Sequence, residues 1–146
     1  MFMLSCINPA YQDGASRLVN LYTLNQRIRA INLEYVARSV QSYVFDTARG
    51  EIMVTPILSF EGNDNLHSRW MRAFLENGKL QTLHWDETTD KMIEWISEET
   101  KYLRVYVQPL RGNIGVFNDR AFMHARDFYE DHPDHEPLYL LRRWFR

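Results

Sequence analysis

The feature that most limits what this chain can become is the alternation of compact apolar runs with amphipathic ones between Glu51 and Gln108. Glu51 to Phe60 (EIMVTPILSF) is rich in β-branched residues, the composition of a largely buried strand. Pro56 has no amide hydrogen to give to a ladder, so this strand is expected at an edge or bulged there. Polar residues follow at Glu61 to Asn65, and then Leu66, Trp70, Ala73 and Phe74 share one helical stripe that closes at Asn77-Gly78. Leu80 to Trp85 reads as a second strand. Asp86, Glu87 and Asp90 gather where a second helix would start, and carboxylates there oppose the positive end of the helix dipole. Met92, Ile93 and Ile96 give that helix an apolar face. From Tyr102 to Gln108, Leu103, Val105 and Val107 alternate with Tyr102, Arg104 and Tyr106.

Each connection between these strands is long enough to hold a helix, which parallel pairing requires. The polar face of the last strand argues against a sheet buried on both sides. The expected fold is therefore a single domain over residues 1–146, α+β or α/β in class. It would be built on a mixed sheet of about four to six strands with helices mainly on one face.

The flanking segments are read the same way. Met1 to Ile7 is a short apolar strand or packed segment that ends at Asn8-Pro9. Ser16 to Phe45 is mostly helical in pattern: Leu24, Ile28, Ile31 and Tyr35 form one stripe, and Val36, Val40 and Val44 continue on an adjacent one. The change of stripe predicts a bend near Asn32 or two separate elements. Ile114 to Phe117 suits a strand hairpinned with Tyr102–Val107. Asn118 or Asp119 would cap a helix carrying Phe122, Ala125, Phe128 and Tyr129. Leu138 to Arg146 (LYLLRRWFR) fits a last strand or a terminal helix equally.

Composition excludes some classes. The 146 residues are enough for a sizeable core, and 25% charged with 45% hydrophobic residues excludes general disorder. A net charge of −2 does not by itself imply a polyanionic partner. The single Cys6 has no internal disulfide partner, which fits a reducing compartment. No apolar run reaches membrane-spanning length, so a cytoplasmic protein with no membrane partner is expected.

Five candidate chemistries follow from the residue types. Glu61, Asp64, His84 and Asp86 would lie beyond the carboxyl ends of strands, where converging acids hold a divalent cation and His84 serves as a base beside Asp86. The competing explanation makes Asp64 and Asp86 helix caps, which accounts for acids there without chemistry. His132 and His135, with His124 upstream, have the residue type for zinc but lack a second close pair. Tyr102, Arg104 and Tyr106 on one strand face would stack bases and contact phosphates. Cys6 has no neighbouring base, and neither Ser59 nor Ser97 sits in a glycine elbow. Tyr139, Arg142, Arg143, Trp144 and Phe145 mix aromatics with arginine, the residues that anchor protein interfaces.

Taken together, these features favour a small cytoplasmic interaction or regulatory protein that binds another protein and is not an enzyme. Its partner-binding residues would be Tyr102, Arg104, Tyr106, Tyr139, Arg142, Arg143, Trp144 and Phe145, with no cofactor and with self-association left open. A single-stranded nucleic-acid binder and a metal-assisted enzyme with a carboxylate and histidine site are the alternatives.

Overall fold

The computed structural model describes residues 2–47, 49–61, 65–118, 121–131, 133–134 and 136–145, the Phe2 side chain excepted. In chain order the elements are β1 (Phe2–Asn8), β2 (Gln12–Asp13), β3 (Ser16–Asn20), α1 (Leu21–Ile31), α2 (Leu33–Ser39), β4 (Ser42–Asp46), β5 (Ile52–Pro56), β6 (Leu58–Glu61) and β7 (Asn65–Ser68). There follow α3 (Arg72–Asn77), a single 3-10 turn at Lys79–Gln81, α4 (Glu87–Leu103), β8 (Val105–Val107), β9 (Ile114–Phe117), β10 (Phe122–Arg126), β11 (Tyr129–Glu130) and β12 (Tyr139–Trp144). The class is α+β. The strands are divided among several sheets of two or three strands, smaller and more numerous than the one sheet expected.

The chain forms two compact units, one from Met1–Asn20 with Arg104–Arg146 and one from Leu21–Leu103. The first carries the sheets β12-β1-β9 and β10-β3-β8 and the small pair β11-β2. The second carries the four α-helices found among the described residues and the hairpins β4-β5 and β6-β7. Every described ladder is antiparallel, so no crossover helix is needed.

In the helical unit α4 forms where expected. The Asp86 carboxylate accepts from the Thr89 amide at 2.9 Å and from the Thr89 hydroxyl at 3.0 Å. Glu87 and Asp90 stand in the first turn and Lys101 in the last, the signs that the helix dipole favours. Thr89, Met92, Ile93 and Ile96 are buried at spacings of three, one and three, the inward stripe of an amphipathic helix. The change of stripe in residues 16–45 is a helix break. Asn32 caps α2 by accepting from the Glu34 amide at 2.8 Å, and Leu21, Leu24 and Ile28 of α1 are buried before it. Tyr43 and Phe45 of β4, with Ile57, Leu58, Leu66 and Leu75, complete this core.

Several elements differ from expectation, and each has a local cause. Ser16–Asn20 is a strand, because its partners are β8 and β10 on either side. Leu66 does not open a helix. It pairs across from Phe60 in the β6-β7 hairpin and is fully buried, so period-two burial satisfies the residue that the helical stripe had claimed. Only Arg72–Asn77 stays helical there. Leu80–Trp85 is a 3-10 turn and loop, with Leu80 and Leu83 fully exposed because no second layer covers them. Phe122–Arg126 is a strand laid against β3 in the register Met123↔Val19 and Arg126↔Ser16. β9 pairs with β1 instead of β8. The tail resolves as strand β12, paired with β1 in the register Leu4↔Arg142.

Candidate functional site

The cavity with the most chemistry in it lies in the two-sheet unit. It measures about 220 Å³ and takes its walls from both sheets, with Leu4 and Cys6 of β1, Ile114 and Phe117 of β9, Ser16 of β3 and Arg126 of β10. Apart from Arg126 and Ser16, these walls are largely apolar. Strand alternation puts His124 on the same face of β10 as Arg126, two residues away. The Ser16 hydroxyl stands between them, 3.3 Å from His124 Nε2 and 3.5 Å from a terminal nitrogen of Arg126. The His124 ring packs on Phe117 of the other sheet with centroids 5.6 Å apart.

Arg126 is half-buried. Desolvation lowers its pKa, opposed by the charge of the Cys6 and Tyr129 groups. Its carbonyl accepts from an Arg17 terminal nitrogen at 2.9 Å, and Arg17 is held in turn by Asp127 at 2.9 Å. Among the described residues no carboxylate pairs with the Arg126 side chain. The His124 imidazole is pushed below the ordinary histidine range, first by burial and then by the charges of Arg142 and Arg126. It is therefore held neutral, able to accept a proton or donate a lone pair. The Cys6 thiol is raised by burial, which the charges of Arg126 and Arg111 partly offset. It is an inert thiol in an apolar wall.

The residues nominated from sequence fall elsewhere. Glu61 ends β6 and bonds His67 Nε2 at 3.1 Å across the hairpin. Asp86 caps α4 and pairs with Arg38 at 2.6 Å; the Thr89 amide, more than any charge, holds its carboxyl below the usual range. His84 lies edge-on to Tyr43, 4.9 Å between centroids, and its carbonyl accepts from Arg38. Asp64, His132 and His135 lie outside the described residues. Glu61 and Asp86 are thus bonded to separate neighbours, while the buried His84 Nε2 has no hydrogen-bond partner among the described residues. Among the described residues no group of three or more His, Cys, Asp or Glu could hold a metal ion.

Tyr102, Arg104 and Tyr106 do not share a strand. Tyr102 is in the last turn of α4 with the Arg27 guanidinium 5.6 Å from its ring centroid, and only Tyr106 is in β8, under Arg104 at 5.1 Å. The alternation starts later than it seemed because α4 runs on to Leu103. That removes the base-stacking face on which the nucleic-acid reading rested. Tyr139, Arg142, Arg143 and Trp144 belong to β12, with Phe145 just after it. Arg142 stacks over Trp144 at 4.2 Å and Arg143 over Phe145 at 6.0 Å. The tail is therefore a strand of its own sheet, with its cations seated on its aromatics.

No protein-family model matches the sequence, and no curated protein does. Among solved structures, an asparagine oxygenase in complex with Fe(II), 2S,3S-3-hydroxyasparagine and succinate matches with a TM-score of 0.74 at 15% identity. The match covers 97% of this chain and 43% of the oxygenase chain, so the chain spans less than half the length of that enzyme. At such identity the likeness shows the fold alone. It nevertheless overturns the expectation of a small non-catalytic interaction or regulatory protein, which rested on missing catalytic motifs: the fold is one that a metal-dependent enzyme uses. As for a membrane, among the described residues no helix is long and apolar enough to cross one.

Proposed function

We propose that this chain forms part of an oxygenase-type enzyme and holds a small carboxylate-bearing substrate or co-substrate on Arg126, beside the neutral imidazole of His124. The observation that carries this reading is a half-buried guanidinium on the wall of a largely apolar cavity, with no carboxylate partner among the described residues. A buried cation costs stability unless an anion meets it, and a planar guanidinium meets a carboxylate through two parallel hydrogen bonds. The oxygenase of like fold was solved with succinate, a dicarboxylate, and with an amino-acid product.

The roles divide by chemistry. Arg126 supplies the charge-assisted bonds, and Arg17, anchored on Asp127, fixes the strand that aims it. Ser16 bridges Arg126 and His124, so an anion on the guanidinium is felt at the imidazole. Phe117 and Leu4 exclude water from the anion, which strengthens the pairing. Fe(II) is what the oxygenase holds. Here the described residues do not by themselves fit a metal ion.

Titration of succinate into the protein, followed by calorimetry, tests the reading. Charge-assisted bonds of about 1.5–3 kcal/mol predict that Arg126→Gln weakens binding roughly 10- to 100-fold, with Arg126→Lys intermediate. Equal affinity in the wild type and Arg126→Gln would overturn it, as would no saturable binding at all.

A further inference from the structure

We propose that Phe117, laid back over Gly115, sets the size of acid that the cavity admits, so that this pair selects short unbranched dicarboxylates. The inference rests on Arg126 as the carboxylate-binding group and deepens that reading by naming what limits the ligand.

The strand pattern comes first. In β9, Ile114 and Val116 are exposed while Gly115 and Phe117 are half-buried, so the latter two share the inward face. Gly115 lies across from Leu4 of β1, and all three inward residues line the cavity. A glycine inside a strand gives no side chain to the core and marks a place where another group comes close to the backbone. The backbone of Gly115 is not in the left-handed region, so what glycine supplies here is space.

The group that comes close is the Phe117 ring. A Cβ built on Gly115 would sit 2.6 and 2.7 Å from two ring carbons, where ordinary contact begins at 3.4 Å. The ring therefore fills the volume that any side chain at Gly115 would need. From that seat it packs on His124 of the facing sheet, with centroids 5.6 Å apart and planes at 37°. The ring lines the cavity and the His124 side chain behind it does not.

Size follows from this arrangement. Arg126 and Ser16 bound the cavity from one sheet, Gly115 and Phe117 from the other, so an acid held on Arg126 must fit between them. The volume of about 220 Å³ is below the roughly 300–1,000 Å³ of ordinary small-molecule sites. A space of about 150 Å³ is enough for a benzene, so losing the ring would enlarge the cavity by a large fraction. The two positions should then act in opposite directions. Phe117→Ala makes room, whereas a methyl at Gly115 drives the ring off its seat and into the cavity. The contact is with the far edge of the ring, which can turn without moving the backbone.

Calorimetric titration of the 146-residue protein with succinate and with adipate, its longer unbranched homologue, tests this. A single methylene that does not fit a pocket costs about 10- to 200-fold, so the wild type should prefer succinate at least tenfold. Phe117→Ala should erase that preference, and Phe117→Leu, a gentler change of volume, should move it the same way. Gly115→Ala should weaken succinate at least tenfold. Adding Phe117→Ala to it should restore binding, a coupling that a general loss of stability would not give. An unaltered preference in both Phe117 variants, or no rescue in the double variant, would overturn the inference. In that event the Arg126 reading stands as long as Arg126→Gln still weakens succinate. A wild type that binds neither acid would overturn both.

Discussion

Replacing Gly78 by alanine should destabilise the helical unit far more than a surface glycine-to-alanine change. Gly78 is buried, and its backbone is in the ordinary right-handed region (φ −82°), so alanine meets no conformational penalty there. Space decides the outcome. A Cβ built on Gly78 would sit 2.0 Å from the Val44 carbonyl oxygen and 2.6 Å from the carbonyl carbon. Ordinary contact begins at 3.4 Å, so something must move by more than an ångström. The obstacle is backbone. Val44 lies in β4 between Tyr43 and Phe45, both fully buried, and its amide is pinned by the Thr82 hydroxyl at 3.0 Å. Overpacking costs about 1–3 kcal/mol, and a backbone target puts this case at the top of that range. Alanine returns about 0.4–1 kcal/mol by stiffening the unfolded chain, leaving a net loss of about 2 kcal/mol. With a urea slope of about 1–3 kcal/mol/M, the midpoint should fall by roughly 1 M. Tryptophan fluorescence through a urea series measures it, with Trp85 and Trp95 as reporters in this unit. Gly50→Ala is the comparison: nothing lies within 4 Å of its Cβ, and its cost comes only from φ +78°. A Gly78→Ala midpoint equal to or above the wild type would refute the reasoning.

Further outcomes are expected at other positions. Met92→Ala removes a fully buried side chain and should cost about 2–5 kcal/mol, seen as a lower urea midpoint. Asp86→Ala should lower the helical signal and the midpoint while Asp86→Asn keeps most of both, since a side-chain oxygen is what caps α4. The Asp86 pKa is depressed on folding, so its contribution is present above the ordinary carboxylate range and lost as pH falls through it. His124 is also depressed, so below the ordinary histidine range the unfolded chain takes up the proton more readily. Stability of the two-sheet unit should therefore fall as the pH drops through the ordinary histidine range and below it, and His124→Gln should flatten that fall.

The parts legible in the sequence are those where one period ruled. α4 announced itself through Met92, Ile93 and Ile96 with carboxylates at its start, and the Asn32 break through its change of stripe. Residues 65–74 misled because Leu66 satisfies a helical stripe and a hairpin equally; the choice was made by Phe60 across the ladder, a contact no local window contains. The candidate site was hidden for the same reason. His124 and Arg126 are two apart, a spacing that means one face only once the segment is known to be a strand, and Ser16 meets them from more than a hundred residues away. Of the acids that drew attention, Asp86 was conspicuous because it caps α4, whereas Glu61 ends a strand and bonds His67.

The pairing of β3 with β8 also bears on how the molecule assembles. Leu18 lies across from Val105, and everything from Leu21 to Leu103 hangs between them as one excursion. Closing so long a loop from a disordered chain carries an entropic cost that grows with loop length. If the excursion collapses first, the barrier to zipping these strands shrinks. Substitutions in α1 or α4 should then slow the appearance of a sheet they do not belong to.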